Sequence, residues 1–138
     1  MEIPANAGAS RRSNSEFATE FKARTKRFAV RILKMGETLP STLGGQVVGR
    51  QLVRSATSVA ANYRAACRAR STRELAAKLH IALEEADESE LWLELLEEAE
   101  IVRPDRLTAL HQEVKELVAI LTNAERSARL KAAAPKSG

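Results

Sequence analysis

Apolar residues recur at steps of three and four along most of this chain, and short breaks divide the repeat into four segments. At about 100° per residue, such steps place side chains on one face of an α-helix. The first segment is the clearest, since its members fall within an arc of about 80°. They are Phe17, Phe21, Thr25, Phe28, Ile32, Met35 and Leu39. With only 6 Gly and 4 Pro in 138 residues, most of the chain is free to be helical.

Capping residues and helix breakers predict the boundaries of the first helices. Ser15 is the expected N-cap of the first helix, and Pro40 is expected to end it. The second helix is predicted at about residues 46–68. Ser71 and Glu74 then have the spacing of a capping box, which predicts that a third helix starts there.

The second half of the chain continues the same organisation. The third helix is expected to run to about Ala99, and Pro104 lies in the connection to the fourth. We expect a disordered tail at 1–14, a bundle at 15–124 and a frayed tail at 125–138, because the apolar period is absent before the bundle and fades after it. Four helices with short connections predict an all-α, up-down-up-down antiparallel four-helix bundle.

Charge is distributed unevenly along the chain, whose net charge is +4. Residues 1–80 contain 15 Lys or Arg against 5 Asp or Glu, whereas residues 81–138 contain 7 against 13. Nine acidic residues and no basic one lie between 84 and 100. This division is typical of a nucleic-acid surface, but also of a bundle whose basic and acidic helices pair within or between subunits.

The second predicted helix has two contrasting faces. Its inward stripe is rich in small residues, which allow a neighbouring helix to approach closely. Its opposite face carries arginines within an arc of about 80°, over a length of about 27 Å. These arginines are Arg50, Arg54, Arg64 and Arg68, and Arg70 and Arg73 continue the charge across the next turn. We call these six residues the arginine stripe, and they are the candidate nucleic-acid-binding residues.

The third predicted helix carries a second apolar patch, about 120° or more from its main apolar face. A helix packed on one side does not need two such faces, so the patch predicts burial against a further neighbour in the bundle or across a subunit interface. Its large members Ile81, Trp92 and Leu95 are the candidate oligomer interface.

Two carboxylates lie on the main apolar face of the third helix. Glu90 and Glu97 must be paired there, since burying a bare carboxylate costs several kcal/mol. Ser55 and Asn62, on the inward side of the second helix, are candidate partners in a buried polar network. The alternative is a paired-carboxylate acid/base site.

No known catalytic motif is present in the sequence. A di-iron bundle needs Glu-x-x-His, but Ala77 and Thr108 stand three residues before His80 and His111. We therefore expect no enzyme activity, no cofactor and no metal. Cys67 is either a small helix residue or, beside three arginines, a reactive thiolate.

The composition also bears on the compartment. A single cysteine cannot form an internal disulfide, so a reducing cytoplasm is expected. No apolar run approaches the roughly 20 residues that span a bilayer, so no membrane partner is expected.

Two runs of sequence resemble the signature of the four-helix-bundle proteins of the 23S rRNA intervening-sequence family. They are QLVRSATSVAANYRAACRARS at 51–71 and KLHIALEEADESELWLELL at 78–96. Phe28 and the Leu39-Pro40 pair also fit, and the resemblance covers about residues 17–122.

The resemblance implies a homo-oligomer, specifically a toroidal pentamer, and no enzymatic activity. Some relatives are accessory proteins of diversity-generating retroelements, which bind nucleic acid and a reverse transcriptase through a basic surface. Many relatives carry an Asn-Ile-Ala-Glu-Gly-like stretch where this chain has Asn-Tyr-Arg-Ala-Ala at 62–66, so any role of the acidic and glycine positions is in doubt.

Two functional hypotheses follow. In the first, the arginine stripe binds the phosphates of RNA or DNA, and the protein is a nucleic-acid-binding adaptor. In the second, the arginines pair with the acidic stretch at 84–100 of the same or the next subunit, and the protein is a self-assembling scaffold. The sequence leaves open whether the stripe meets phosphate or glutamate.

Overall fold

A computed structural model describes residues 13–135 and contains four α-helices. They are α1 (Asn14–Gly36), α2 (Leu43–Cys67), α3 (Thr72–Glu98) and α4 (Pro104–Ala133). Each helix packs antiparallel against the next, and α4 closes the bundle against α1. The diagonal pairs, α1 with α3 and α2 with α4, have no two Cα atoms within 8 Å of each other. The predicted all-α four-helix bundle is therefore confirmed. No helix within residues 13–135 has the length and apolar character needed to cross a membrane.

The core is built from aliphatic residues of all four helices, together with the aromatic side chains of Phe21, Phe28 and Tyr63. Each fully buried side chain of this size contributes roughly 1.5–3 kcal/mol relative to exposure. The completely enclosed members include Phe28, Ile32, Leu52, Val59, Leu93, Leu96, Leu107, Val114, Leu117 and Leu121. These side chains account for the apolar period in each of the four segments.

The helices α2 and α3 meet through small residues. Ala56, Ala82 and Ala86 are fully buried, and the buried hydroxyls of Ser55 and Ser89 lie 2.8 Å apart. Such short side chains allow the two backbones to approach closely. The small inward residues of the second predicted helix serve this contact.

The first helix begins and ends earlier than the sequence predicts. Its N-cap is Ser13, not Ser15, because the Ser13 hydroxyl accepts a hydrogen bond from the Glu16 N–H at 3.0 Å. Its last residue is Gly36, and the N–H of Glu37 bonds back to Leu33 and Met35. The backbone therefore leaves the helix before Pro40. Of the tail predicted at 1–14, residues 1–12 lie outside the described residues, Ser13 is the N-cap of α1, and Asn14 is its first residue.

The second helix begins at Leu43, ahead of the predicted start, with Thr42 as its cap. The Thr42 hydroxyl accepts the Gly45 N–H at 3.2 Å. A Cβ at Gly45 would run into the carbonyl oxygen of Pro40. Glycine therefore allows the preceding loop to lie against the first turn of α2.

The third helix ends in a Schellman motif, with a glutamate in the position that usually holds glycine. Glu100 has φ 57°, in the left-handed region. The Ile101 N–H bonds to the Leu96 carbonyl at 2.9 Å, and the Glu100 N–H bonds to the Glu97 carbonyl at 3.0 Å. The helix stops here without a glycine.

The fourth helix is longer than predicted. It runs to Ala133, so the expectation of a frayed tail from 125 is wrong for residues 125–133. Glu125 and Ala128 are buried against the rest of the bundle, which extends the packing of α4 by more than one turn beyond Asn123.

Candidate nucleic-acid interface

The arginine stripe is exposed along its whole length, but its members have different surroundings. Arg54 is held by α3. Its Nη1 donates to Glu85 at 2.9 Å, its Nη2 donates to Glu88, and its Nε donates to Gln51 at 3.2 Å. Partial burial acts to lower the pKa of Arg54, but Glu88 and Glu85 outweigh it, so the pKa lies above its ordinary value. Arg54 is already neutralised within the subunit.

The C-terminal part of the stripe lies at the turn between α2 and α3. Arg64 is in the last turn of α2, and Arg68 caps its end with backbone hydrogen bonds to Ala65 and Ala66. The N–H of Arg70 donates to Glu74 Oε2 at 3.0 Å, while the Glu74 N–H donates to the Ser71 hydroxyl at 3.0 Å. Ser71 is thus the N-cap of α3, as predicted, and the capping interactions fix the course of the chain at Arg70.

Four cations meet at this turn around one depression of about 390 Å³. We call it the basic depression. Its walls are formed by Arg64, Arg68, Arg70, Glu74 and Lys78, with Ala61 and Ala65. None of the four cations forms an ion pair with a carboxylate of residues 13–135. Glu74 is the only carboxylate in the walls of the basic depression, and it accepts a hydrogen bond from the Arg70 N–H. The basic depression therefore carries a strong positive charge.

Lys78 is the member of this cluster that the sequence analysis overlooked. It stands one helical turn after Glu74, and two turns after Arg70, on the side of α3 that faces α2. The sequence does contain a signal for Lys78, because it follows the capping Glu74 by four residues, and side chains four residues apart are neighbours on a helix. By contrast, Arg73 is exposed outside the basic depression, and Arg50 lines a separate groove between α1 and α2.

Comparison with known proteins assigns the chain to a family. The family model described as "23S rRNA-intervening sequence protein" matches residues 18–123. The chain belongs to the 23S rRNA-intervening sequence protein family. Its matched region contains the whole arginine stripe and the basic depression.

A solved relative has a similar fold. It is a protein of unknown function of the S23 ribosomal protein family from Bacteroides thetaiotaomicron VPI-5482. The two share 33% identity with a TM-score of 0.73, over 79% of this chain and 97% of the other. No curated protein matches the chain.

In this member of the 23S rRNA-intervening sequence family, the candidate interface residues on α3 are only partly exposed. Ile81 is 39% exposed and Leu95 is 37% exposed. Trp92 is half-buried against the core, and its indole N–H donates to Glu88 at 2.9 Å. Glu88 therefore accepts hydrogen bonds from both Trp92 and Arg54. The part of the second apolar patch around Trp92 thus lies where α3 packs against α2.

The four residues proposed as a buried polar network do not form one. Ser55 bonds to Ser89, and Asn62 donates to the carbonyl and hydroxyl oxygens of Ser58, both at 2.9 Å. The prediction is wrong because the side of α3 that carries Glu90 and Glu97 faces α4 and not α2.

The two glutamates have separate partners on α4. Glu90 accepts from Lys115 Nζ at 2.7 Å, and Glu97 lies 3.2 Å from Nε2 of His111. Hydrogen bonding to Glu90 raises the pKa of Lys115 above its ordinary value. Because each carboxylate has its own partner on α4, the geometry does not bring the two into an acid/base pair.

The remaining candidates for chemistry have structural partners. Cys67 is exposed beside the buried Tyr63, and burial raises the pKa of the Tyr63 phenol, with Cys67 adding to the rise. His80 lies 3.6 Å from the buried carboxylate of Glu125, which Arg129 also pairs at 3.0 Å. Among residues 13–135, no three His, Cys, Asp or Glu side chains are placed to hold a metal ion.

Proposed function

We propose that this protein is a non-enzymatic, homo-oligomeric adaptor that binds the phosphate backbone of RNA or DNA at the basic depression. The observation that carries the proposal is the convergence of Arg64, Arg68, Arg70 and Lys78 around one concave surface without carboxylate partners among residues 13–135. Phosphate oxygens would supply those partners.

The surroundings of the basic depression support phosphate binding over base recognition. Three of its four cations are arginines, whose planar guanidinium groups bind phosphate through two parallel hydrogen bonds. Its walls contain no aromatic side chain on which a base would stack. We therefore infer that binding depends little on the nucleotide sequence and weakens steeply as the salt concentration rises.

The homo-oligomer is part of the proposal. The family resemblance implies a pentamer, and some relatives also bind a reverse transcriptase. A ring would repeat the basic depression once per subunit, and a nucleic acid that touched two depressions would gain affinity from the second contact. We infer that the assembly presents several phosphate sites to one nucleic acid and leaves other surfaces for a protein partner.

The test is binding of fluorescently labelled duplex RNA and duplex DNA by anisotropy across a salt series. Replacing Arg64 and Arg68 with Gln removes two phosphate contacts, so the log–log salt slope should become shallower by about 1.8. The matched control replaces Arg54 and Arg126 with Gln, since Arg54 is occupied by α3 and Arg126 lies exposed on α4. Equal slopes and affinities for the two variants would reject the basic depression as the site.

A scaffold without a nucleic-acid role is the second candidate, and the contacts of Arg54 favour it. Arg54 pairs with Glu85 and Glu88, as the scaffold hypothesis expects of the whole stripe. In a scaffold, the cations of the basic depression would meet acidic residues of another subunit. Reversing the charge at Arg64 distinguishes the two functions. Loss of the oligomer favours the scaffold, whereas loss of nucleic-acid binding with the oligomer intact favours the adaptor.

A further inference from the structure

All four helices contribute to one apolar cavity, at the end of the bundle where α1 begins and α4 ends. We call it the end cavity, and its volume is about 330 Å³. Its walls include buried side chains, of which Tyr63 is 6% exposed and Leu79 is 3% exposed. The exposed residues Cys67 and Lys131 also line it, so the end cavity opens to solvent beside them.

Short side chains leave the end cavity unfilled. Four of its wall residues are alanines from α1, α2 and α4, namely Ala18, Ala66, Ala124 and Ala128. A methyl group occupies little of the space between helix axes that are about 8–10 Å apart. Tyr63 does not fill that space, since its ring packs edge to face against Phe21, with ring centroids 4.7 Å apart. The interior of the end cavity is therefore lined mainly by carbon.

A single charged group lines the end cavity within the described part of the chain. It is the ammonium of Lys131, in the last turn of α4. No ion pair within residues 13–135 involves Lys131. The other polar groups in the walls are an amide, two hydroxyls and a thiol, from Asn14, Tyr63, Ser127 and Cys67. An apolar interior with one cation at its mouth is complementary to an amphiphile that has an anionic head.

The volume of the end cavity limits the size of its ligand. An engineered core cavity of about 150 Å³ encloses benzene, which has six carbons. The end cavity has about twice that volume, so it accommodates about twelve non-hydrogen atoms. Ligand sites between the helices of bundles have volumes of about 300–1,000 Å³, and the end cavity is at the lower end of that range.

We propose that the end cavity binds a single-chain anionic amphiphile whose alkyl chain has about eight to ten carbons. The chain would lie among the alanines, and the carboxylate or phosphate head would lie at Lys131. Lysine is a point charge that binds either head group, so the chain length is the more specific part of the assignment. The end cavity and the basic depression share no residue, and either proposal can fail without the other.

The first experiment titrates the full chain with fatty acids of increasing length by isothermal titration calorimetry. From hexanoate to decanoate, each added methylene should lower the Kd about fourfold, because each is buried in the end cavity. Dodecanoate should gain little more, since its chain exceeds the available volume. Comparing decanoate with decyl phosphate then identifies the preferred head group. Decyltrimethylammonium, which has a cationic head, should bind at least about tenfold more weakly than decanoate.

Substitutions test the two parts of the site separately. Lys131→Gln should weaken decanoate binding about fivefold to tenfold, whereas Lys131→Arg should retain it. The matched control is Lys34→Gln, about 30 Å along α1 from Asn14 and outside the end cavity, which should leave the Kd unchanged. Ala128→Leu should fill the end cavity and abolish binding, with the fold checked by circular dichroism. Because Lys131 is exposed, its variants test the proposal even if Ala128→Leu does not fold.

The single cysteine of the chain reports where the ligand binds. Cys67 lines the end cavity, so bound decanoate should slow its alkylation by N-ethylmaleimide, as measured by mass spectrometry. The decanoate concentration that gives half-maximal protection should equal the Kd from calorimetry. The proposal is overturned if decanoate does not bind saturably, if it leaves the alkylation rate unchanged, or if Lys131→Gln and Lys34→Gln bind it equally. Equal affinities for decanoate and decyltrimethylammonium would also overturn it.

Discussion

Arg24 joins α1 to α4 at the seam where the two helices approach each other least closely, and its removal should destabilise the bundle measurably. Its Nε and Nη2 donate to the two carboxylate oxygens of Glu113 at 2.8 and 2.7 Å. Nη2 also donates to Glu116 at 2.7 Å. The Glu113 side chain is only 17% exposed, and that of Arg24 is 27% exposed. This is a partly buried pair with two parallel hydrogen bonds.

The magnitude follows from that burial. Removing one partner of a fully buried pair costs about 3–5 kcal/mol, whereas an exposed pair contributes about 0–1 kcal/mol. Arg24→Ala leaves the largely buried Glu113 without its cation, so we expect a loss of about 2 kcal/mol in the free energy of unfolding. For a chain of this length the midpoint of thermal unfolding should fall by about 6 °C.

The assay is a double-mutant cycle by urea unfolding, followed by far-UV circular dichroism. Arg24→Ala, Glu113→Ala and the double variant should give a coupling energy of about 1–2 kcal/mol. The matched cycle on Arg54 and Glu85 should give less than about 1 kcal/mol, because the Arg54 side chain is 49% exposed. A coupling at Arg24 no larger than at Arg54 would refute the argument that burial strengthens the seam.

The same seam has a pH signature. The pKa of Glu116 is lowered by the hydrogen bond from Gln112 and then by Arg24. Below about pH 5 the unfolded chain therefore binds more protons than the folded chain, so stability decreases as the pH is lowered. The contribution is complete above about pH 5 and is lost as pH falls through the depressed pKa of the folded protein. Gln112→Ala should reduce the slope of stability against pH between about pH 5 and pH 2 in urea titrations. An unchanged slope would contradict the assignment.

Three further predictions concern stability, and equilibrium unfolding measures each of them. Glu100→Gly should stabilise the protein by about 0.5–1 kcal/mol because glycine adopts positive φ without strain, and a loss of stability would contradict the Schellman geometry. Gly45→Ala should destabilise by at least about 1 kcal/mol through its clash with the preceding loop, whereas Gly44→Ala, whose Cβ meets only the end of a flexible side chain, should not. Ser55→Ala and Ser89→Ala should each cost about 1 kcal/mol and be less than additive when combined, since each single change already removes the same hydrogen bond between the two helices. Strict additivity would show that the two hydroxyls are not coupled.

Local sequence determined the four helices, because the apolar steps of three and four depend only on helix geometry. The local sequence also contains signals for helix boundaries at which the predictions were wrong, namely the start of α1 and the end of α4. Ser13 and Glu16 have the same capping-box spacing as Ser71 and Glu74, and only the first of these two caps was overlooked. Residues 124–133 are rich in Ala, Arg, Lys and Glu, which favour helix even where the apolar period weakens. The C-terminal end of α4 could therefore have been predicted from the sequence.

The partners of the charged residues were decided by tertiary register. Arg54 and Arg64 lie on the same exposed stripe, three turns apart, and sequence alone treats them alike. In the antiparallel packing of α2 and α3, the acidic part of α3 lies opposite Arg54, whereas its first turns, which carry Lys78, lie opposite Arg64. Glu90 and Glu97 likewise face α4 because of the rotation of α3 about its axis. Helical period specifies which residues share a face, but only the packing of whole helices specifies what that face meets.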